Sequence, residues 1–111
     1  MEKLNILWTT DNKDTIFNML AMYALNSKIK NWWQDVRVII WGASVKLIKN
    51  DTQVQTEVLE MVKAGKTVEA CKDCADNFDA TEILEKLGVT VKYMGLPLTE
   101  LLKQGERLIT I

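Results

Sequence analysis

The chain has 111 residues, 48% hydrophobic and 26% charged, with 14 basic against 15 acidic side chains, a net charge of −1, two cysteines and no histidine. Length and composition fit one folded domain, residues 1–111, and not a disordered segment, and the balanced charge offers no electrostatic footprint for nucleic acid or an anionic membrane surface. Without histidine, one chain has no imidazole base, no Ser-His-Asp or Cys-His pair and no histidine metal site, which leaves thiols, carboxylates, hydroxyls, lysines and backbone amides for any chemistry.

The first seven residues carry no basic leader ahead of a long apolar stretch, so no signal peptide is expected. The longest apolar run, residues 19–25, falls well short of the ~20 residues of a membrane span. A Cys-x-x-Cys pair without a secretory signal points to the cytoplasm, with neither membrane nor nucleic acid among the partners. Residues 4–8 predict a first strand, followed by the polar stretch Thr9-Thr10-Asp11-Asn12-Lys13. From about Asp14, the apolar positions Ile16, Leu20, Tyr23 and Ala24 fall at i, i+4, i+7 and i+8, the stripe of an amphipathic helix. Residues 36–41 form a nearly continuous bulky run, as expected of a parallel strand covered on both faces, and Gly42-Ala43-Ser44 ends it. Val54, Val58, Met61 and Val62 repeat the helical spacing.

Gly65, Gly88 and Gly105 each follow a helical pattern and precede a short extended segment, at residues 67–70, 89–93 and 108–111. Asp79 with Glu82 predicts a capping box for the helix carrying Ile83, Leu84 and Leu87. Pro97 predicts the start of a helix with Leu98, Leu101 and Leu102. Five strands alternating with at least four helices predict an α/β domain with a parallel sheet.

Parallel sheets bind ligands beyond the carboxyl ends of their strands. Those ends present Thr10 and Asp11, then Ser44, then Cys71 and Lys72, then Met94 and Gly95 as candidate cleft-lining residues. Thr9 to Asn12 are equally suited to capping the next helix, and Ser44 to making a turn. Cys71 lies at the end of the third strand, and Cys74 follows one turn later on the same face. A thiol at a helix start is favoured as thiolate, so Cys71 is the expected nucleophile and Cys74 its disulfide or transfer partner. Lys72 favours the thiolate, whereas Glu69, Asp73 and Asp76 oppose it. Plain packing as small buried hydrophobes is the alternative reading of both thiols. A zinc site would need ligands from a second chain, and neither metal nor cofactor is expected. A thioredoxin-type motif would follow the first strand and face a proline; a phosphatase loop would need an arginine where Asn77 stands. Trp8, Trp32, Trp33 and Trp41, with only Arg37 interleaved, suit a core or a subunit interface and not a nucleic-acid platform.

The step Val68-Glu69-Ala70-Cys71-Lys72-Asp73-Cys74-Ala75 resembles the corresponding step of the DsrE-like sulfur-relay proteins (DsrE, DsrF and TusD types). Leu87-Gly88-Val89, Val91 to Gly95, Leu98 to Leu102, the opening strand with Thr9-Thr10-Asp11, and Trp41-Gly42-Ala43-Ser44 are similar as well, over essentially the whole chain. The resemblance implies a three-layer α/β/α domain with a five-stranded parallel sheet, assembled into homo- or hetero-oligomers. It also implies a persulfide on Cys71 that takes sulfane sulfur from one thiol protein and passes it to another. The arginine-glycine pair that follows the cysteine in such subunits is absent, and Cys74 is an addition, which points to a separate branch. A non-catalytic oligomeric or small-ligand-binding module with inert cysteines, and a Cys71–Cys74 redox sensor, are the alternatives.

Overall fold

The computed structural model describes residues 2–111. β1 (Lys3–Trp8) leads into α1 (Lys13–Thr15), a π-helical stretch (Ile16–Leu20) and α2 (Ala21–Ile29). Then come β2 (Asp35–Ile40), α3 (Ala43–Asn50), α4 (Thr52–Lys63), β3 (Thr67–Cys71), α5 (Lys72–Asn77), α6 (Thr81–Lys86), β4 (Thr90–Lys92), α7 (Gly95–Lys103) and β5 (Arg107–Thr110). The strands form one parallel sheet in the order β4-β3-β2-β1-β5, with Ile6 of β1 paired to Val38 of the central strand β2 and to Ile109 of β5. This is the α/β architecture expected from the sequence.

Crossover handedness divides the core. The steps from β1 to β4 all move the same way across the sheet, so right-handed crossovers put α1 to α6 on one face. The return from β4 to β5 reverses direction and puts α7 on the other. Side-chain alternation along the strands supplies both faces. Leu4, Ile6, Trp8, Val38, Ile40, Val68 and Ala70 pack with Ile16, Leu20, Ile48, Val54, Val58 and Leu84 in the larger cluster. The intervening Leu7, Ile39, Trp41 and Cys71 join Met94, Leu98, Leu101 and Leu108 in a smaller one.

One nine-residue helix does not cover five strands. The α7 face is apolar at the carboxyl ends of β1 and β2 and polar toward the amino ends of the strands and along the β4 edge, where Lys92 stands in register beside Cys71. There Glu69, 5% exposed, lies between Arg37 Nε at 3.3 Å and Lys92 Nζ at 2.6 Å from the two flanking strands. Nearby, Asn5 Nδ2 donates to Glu106 Oε1 at 3.1 Å, and Lys3 approaches the same carboxylate at 3.6 Å. The charge of Glu69, two positions before Cys71 on the same face, is therefore paired.

Four details depart from the sequence expectations. Gly42-Ala43-Ser44 is not only the end of a strand: Gly42 is the N-cap of α3. Asp79 does not cap α6. It takes a positive φ of 51° just after α5 and pairs with Lys49 at 3.5 Å, while Ala80 is the N-cap and makes no side-chain bond, so the capping box does not form. Pro97 is the third residue of α7 and not the first, within a turn whose amides have no intrahelical acceptor. β4 is shorter than expected because it is an edge strand paired only with residues 69–71 of β3. Of the tryptophans, Trp8 is fully buried, Trp41 sits in the α7 cluster, Trp33 Nε1 donates to Tyr23 Oη at 3.0 Å, and Trp32 is half exposed.

Gly88 shows how tightly α4 and the α6–β4 turn are packed. Its φ is +89°, and a Cβ built there would lie 2.9 Å from Val62 Cγ1, whereas at Gly105 (φ +72°) a Cβ would meet nothing within 4 Å. Gly105→Ala should cost about 1 kcal/mol for the backbone conformation alone, and Gly88→Ala about 2–3 kcal/mol, because overpacking adds to it. Urea unfolding of both variants checks this; equal losses would contradict the contact with Val62.

Candidate functional site

β3 ends at Cys71, which is also the N-cap of α5, in an extended conformation at φ −66°, ψ 122°. Alternation points its side chain under α7, where it is 2% exposed among Ile39, Met94 and Leu101. No first-turn amide of α5 donates to its sulfur. The helix-start stabilisation expected of Cys71 is not made, because the sulfur faces the apolar cluster.

The first turn of α5 brings Cys74 beside it, partly exposed and packed against both clusters. The backbone N–H of Gly42 donates to Cys74 Sγ at 3.4 Å. Burial pushes the Cys74 thiol up, the Gly42 N–H pulls it down, and the neighbouring Cys71 sulfur and the Asp73 charge push it up further; the net direction is upward. Gly42 holds φ +74° and ψ −137°, which glycine alone adopts readily, and this aims its N–H at the thiol while its carbonyl starts α3 through Val45 N–H at 3.1 Å. Gly42 is the candidate site residue that sequence reasoning passed over. Its signal was a glycine directly after the strongest strand, at the edge where ligands bind.

Of the other candidates, Met94 packs against Cys71 in the α7 cluster, and Gly95 opens α7 in free space. Lys72 is held by Asp76 at 3.1 Å, which raises its pKa, and its Nζ lies 5.8 Å from the Tyr93 ring. Its charge is thus engaged away from the thiols. Ser44 is fully buried and donates to the Trp8 carbonyl at 2.7 Å, tying α3 to the end of β1 and lining no cleft. Thr10 Oγ1 accepts the Asn12 N–H at 3.1 Å, and Asn12 caps α1 through the Thr15 N–H at 2.9 Å. Asp11 borders a separate cleft of about 220 Å³ with Ala43, Lys46, Leu47 and Asn50. The structure therefore brings Cys71, Cys74 and Met94 together, and places Thr10, Asp11 and Ser44 in the loop and helix-start bonding next door. A cleft of about 430 Å³ lined by Phe17, Gln53, Thr56 and Glu57 holds neither thiol. Among the described residues, no three Cys, Asp or Glu side chains gather as a metal cluster, and no helix is long and apolar enough to cross a membrane.

This geometry ranks the thiols by access and sets their pH response. In the native protein iodoacetamide should modify Cys74 and spare Cys71 until the chain unfolds. With the Cys74 pKa raised, its rate should keep climbing from pH 7 to 9 without reaching a plateau, since the thiolate reacts. A plateau below pH 8, or faster labelling of Cys71, would contradict the site as described.

The DsrE/DsrF-like family model matches residues 4–111. Among solved structures, the conserved protein of unknown function BT1422 from Bacteroides thetaiotaomicron is 64% identical, with a TM-score of 0.97 over 99% of this chain and 95% of that one. The ychN protein from E. coli (18% identity, TM-score 0.73) and the protein of unknown function MTH1491 from Methanobacterium thermoautotrophicum (19%, 0.75) share the fold, each over 100% of both chains. No curated protein matches.

Proposed function

Because the chain belongs to the DsrE/DsrF-like family, we propose that it is a sulfur carrier, holding sulfane sulfur as a persulfide on Cys71 and passing it to an acceptor thiol. The observation that supports this most is the pair of free thiols at the carboxyl edge of a parallel sheet, one of them bonded by a backbone amide. Persulfide exchange is attack of a thiolate on sulfur, so it needs no histidine, metal or cofactor. Met94, Leu101 and Ile39 form a dry wall around Cys71 that shields a bound sulfur from small thiols. Donor and acceptor are thiol proteins on this reading, and the reducing cytoplasm, which keeps thiols free, is the fitting compartment. The exposed apolar stripe of Met19, Met22, Leu25, Ile29 and Trp32 supports a homo-oligomer.

The closeness of the two sulfurs favours, as a second reading, a reversible Cys71–Cys74 disulfide that senses redox state. One experiment separates the readings. The protein is incubated with glutathione persulfide and its intact mass recorded without reductant, beside the double variant Cys71→Ser/Cys74→Ser. The carrier gains one sulfur that the double variant does not. Loss of two hydrogens would instead mark the sensor, and an unchanged mass an inert binding module.

A further inference from the structure

A carrier thiol must be met by its donor, and Cys71 is not placed for that. Displacement at sulfur needs the attacking thiolate to approach along the donor's S–S axis, which brings the donor's backbone close to the attacking atom. Cys71 is 2% exposed, closed off by Ile39, Met94 and Leu101. Cys74 is partly exposed, lies three residues along the same helical turn, and packs against the cluster that holds Cys71. It is also the thiol with an anion-stabilising contact, the Gly42 N–H at 3.4 Å, which partly offsets the burial that raises its pKa.

We propose that sulfur enters this chain at Cys74 and moves inward to Cys71, so that Cys74 is a second catalytic thiol that loads the carrier; this rests on the carrier reading. In the first step the Cys74 thiolate, its proton released to solvent, attacks the outer sulfur of the donor persulfide. A bond forms between Cys74 Sγ and that sulfur, the donor's S–S bond breaks, and its electron pair leaves on the donor thiolate. In the second step Cys71 Sγ attacks the same sulfur. The bond to Cys74 breaks, and Cys74 departs as thiolate and takes the proton that Cys71 gives up. Sulfane sulfur keeps its oxidation level throughout, so neither step requires an oxidant or reductant. The Gly42 N–H supports Cys74 in both steps, first as attacking and then as departing thiolate. The apolar cluster under α7 then holds the sulfur where solvent thiols do not reach.

The two cysteines can be followed separately, because trypsin cuts after Lys72 and leaves Cys71 in peptide 67–72 and Cys74 in peptide 73–86. Wild type, Cys74→Ser and Cys71→Ser are loaded with glutathione persulfide, quenched at intervals into iodoacetamide in urea, and digested. Wild type should show sulfur first on peptide 73–86 and then on 67–72. Cys74→Ser should load Cys71 at least tenfold more slowly. Cys71→Ser should keep the sulfur on Cys74; if a buried hydroxyl prevents that variant from folding, Cys71→Ala serves. Undiminished loading of Cys71 in Cys74→Ser overturns the proposal, as does sulfur that stays on Cys74 in wild type, or a disulfide formed with loss of hydrosulfide. If no peptide of wild type gains sulfur, the carrier reading itself fails, an outcome distinct from loss of the order alone.

Discussion

The handedness of parallel crossovers governs everything else in this molecule. Three successive connections across the sheet in one direction load helices α1 to α6 and the π-helical stretch onto one face. The single long return to β5 leaves α7 alone on the other. A full core forms on the first face, and on the second only a small apolar compartment at the carboxyl ends of the strands. Cys71 belongs to that compartment because it is the last residue of β3 and falls in the α7-facing phase of the alternation. Had the fourth crossover run the same way as the others, this face would be bare and Cys71 exposed.

The remainder of the α7 face is polar for the same reason. With no second helix to cover it, the sheet carries Lys3, Asn5, Arg37, Glu69 and Lys92 there, cross-linked by ion pairs between neighbouring strands. Glu69 is the buried member, so Arg37 and Lys92 hold its charge in place. That pairing removes a negative charge from the approach to the thiols. The two cysteines then differ by environment more than by sequence position. Cys71 is dry and without an amide partner, whereas Cys74 is partly wet and bonded to Gly42.

Much of this was legible in the sequence. The strands and most helices follow from apolar periodicity, and the Cys pair was placed at the carboxyl edge by counting strands. What stayed hidden turns on single-residue geometry. Gly42-Ala43-Ser44 reads as a turn, yet the backbone angles of Gly42 convert it into the start of α3 and aim an amide at Cys74. Asp79 has the spacing of a capping box, but its left-handed conformation belongs to the end of α5. Ser44 looks like a cleft residue until its hydroxyl is found on the Trp8 carbonyl. Nearness to the strand made Cys71 the natural nucleophile, and only the path of α7 shows that it is the sheltered thiol. Sheet order and handedness, which local patterns do not carry, separate the two cysteines.

On the proposed reading, the compartment beneath α7 stores sulfur on Cys71. A crystal structure of the persulfide-loaded protein tests it most directly. An added atom is expected on Cys71 Sγ, enclosed by Ile39, Met94 and Leu101, with Cys74 still bonded to the Gly42 N–H. Density for the extra sulfur on Cys74 with Cys71 unmodified would contradict it.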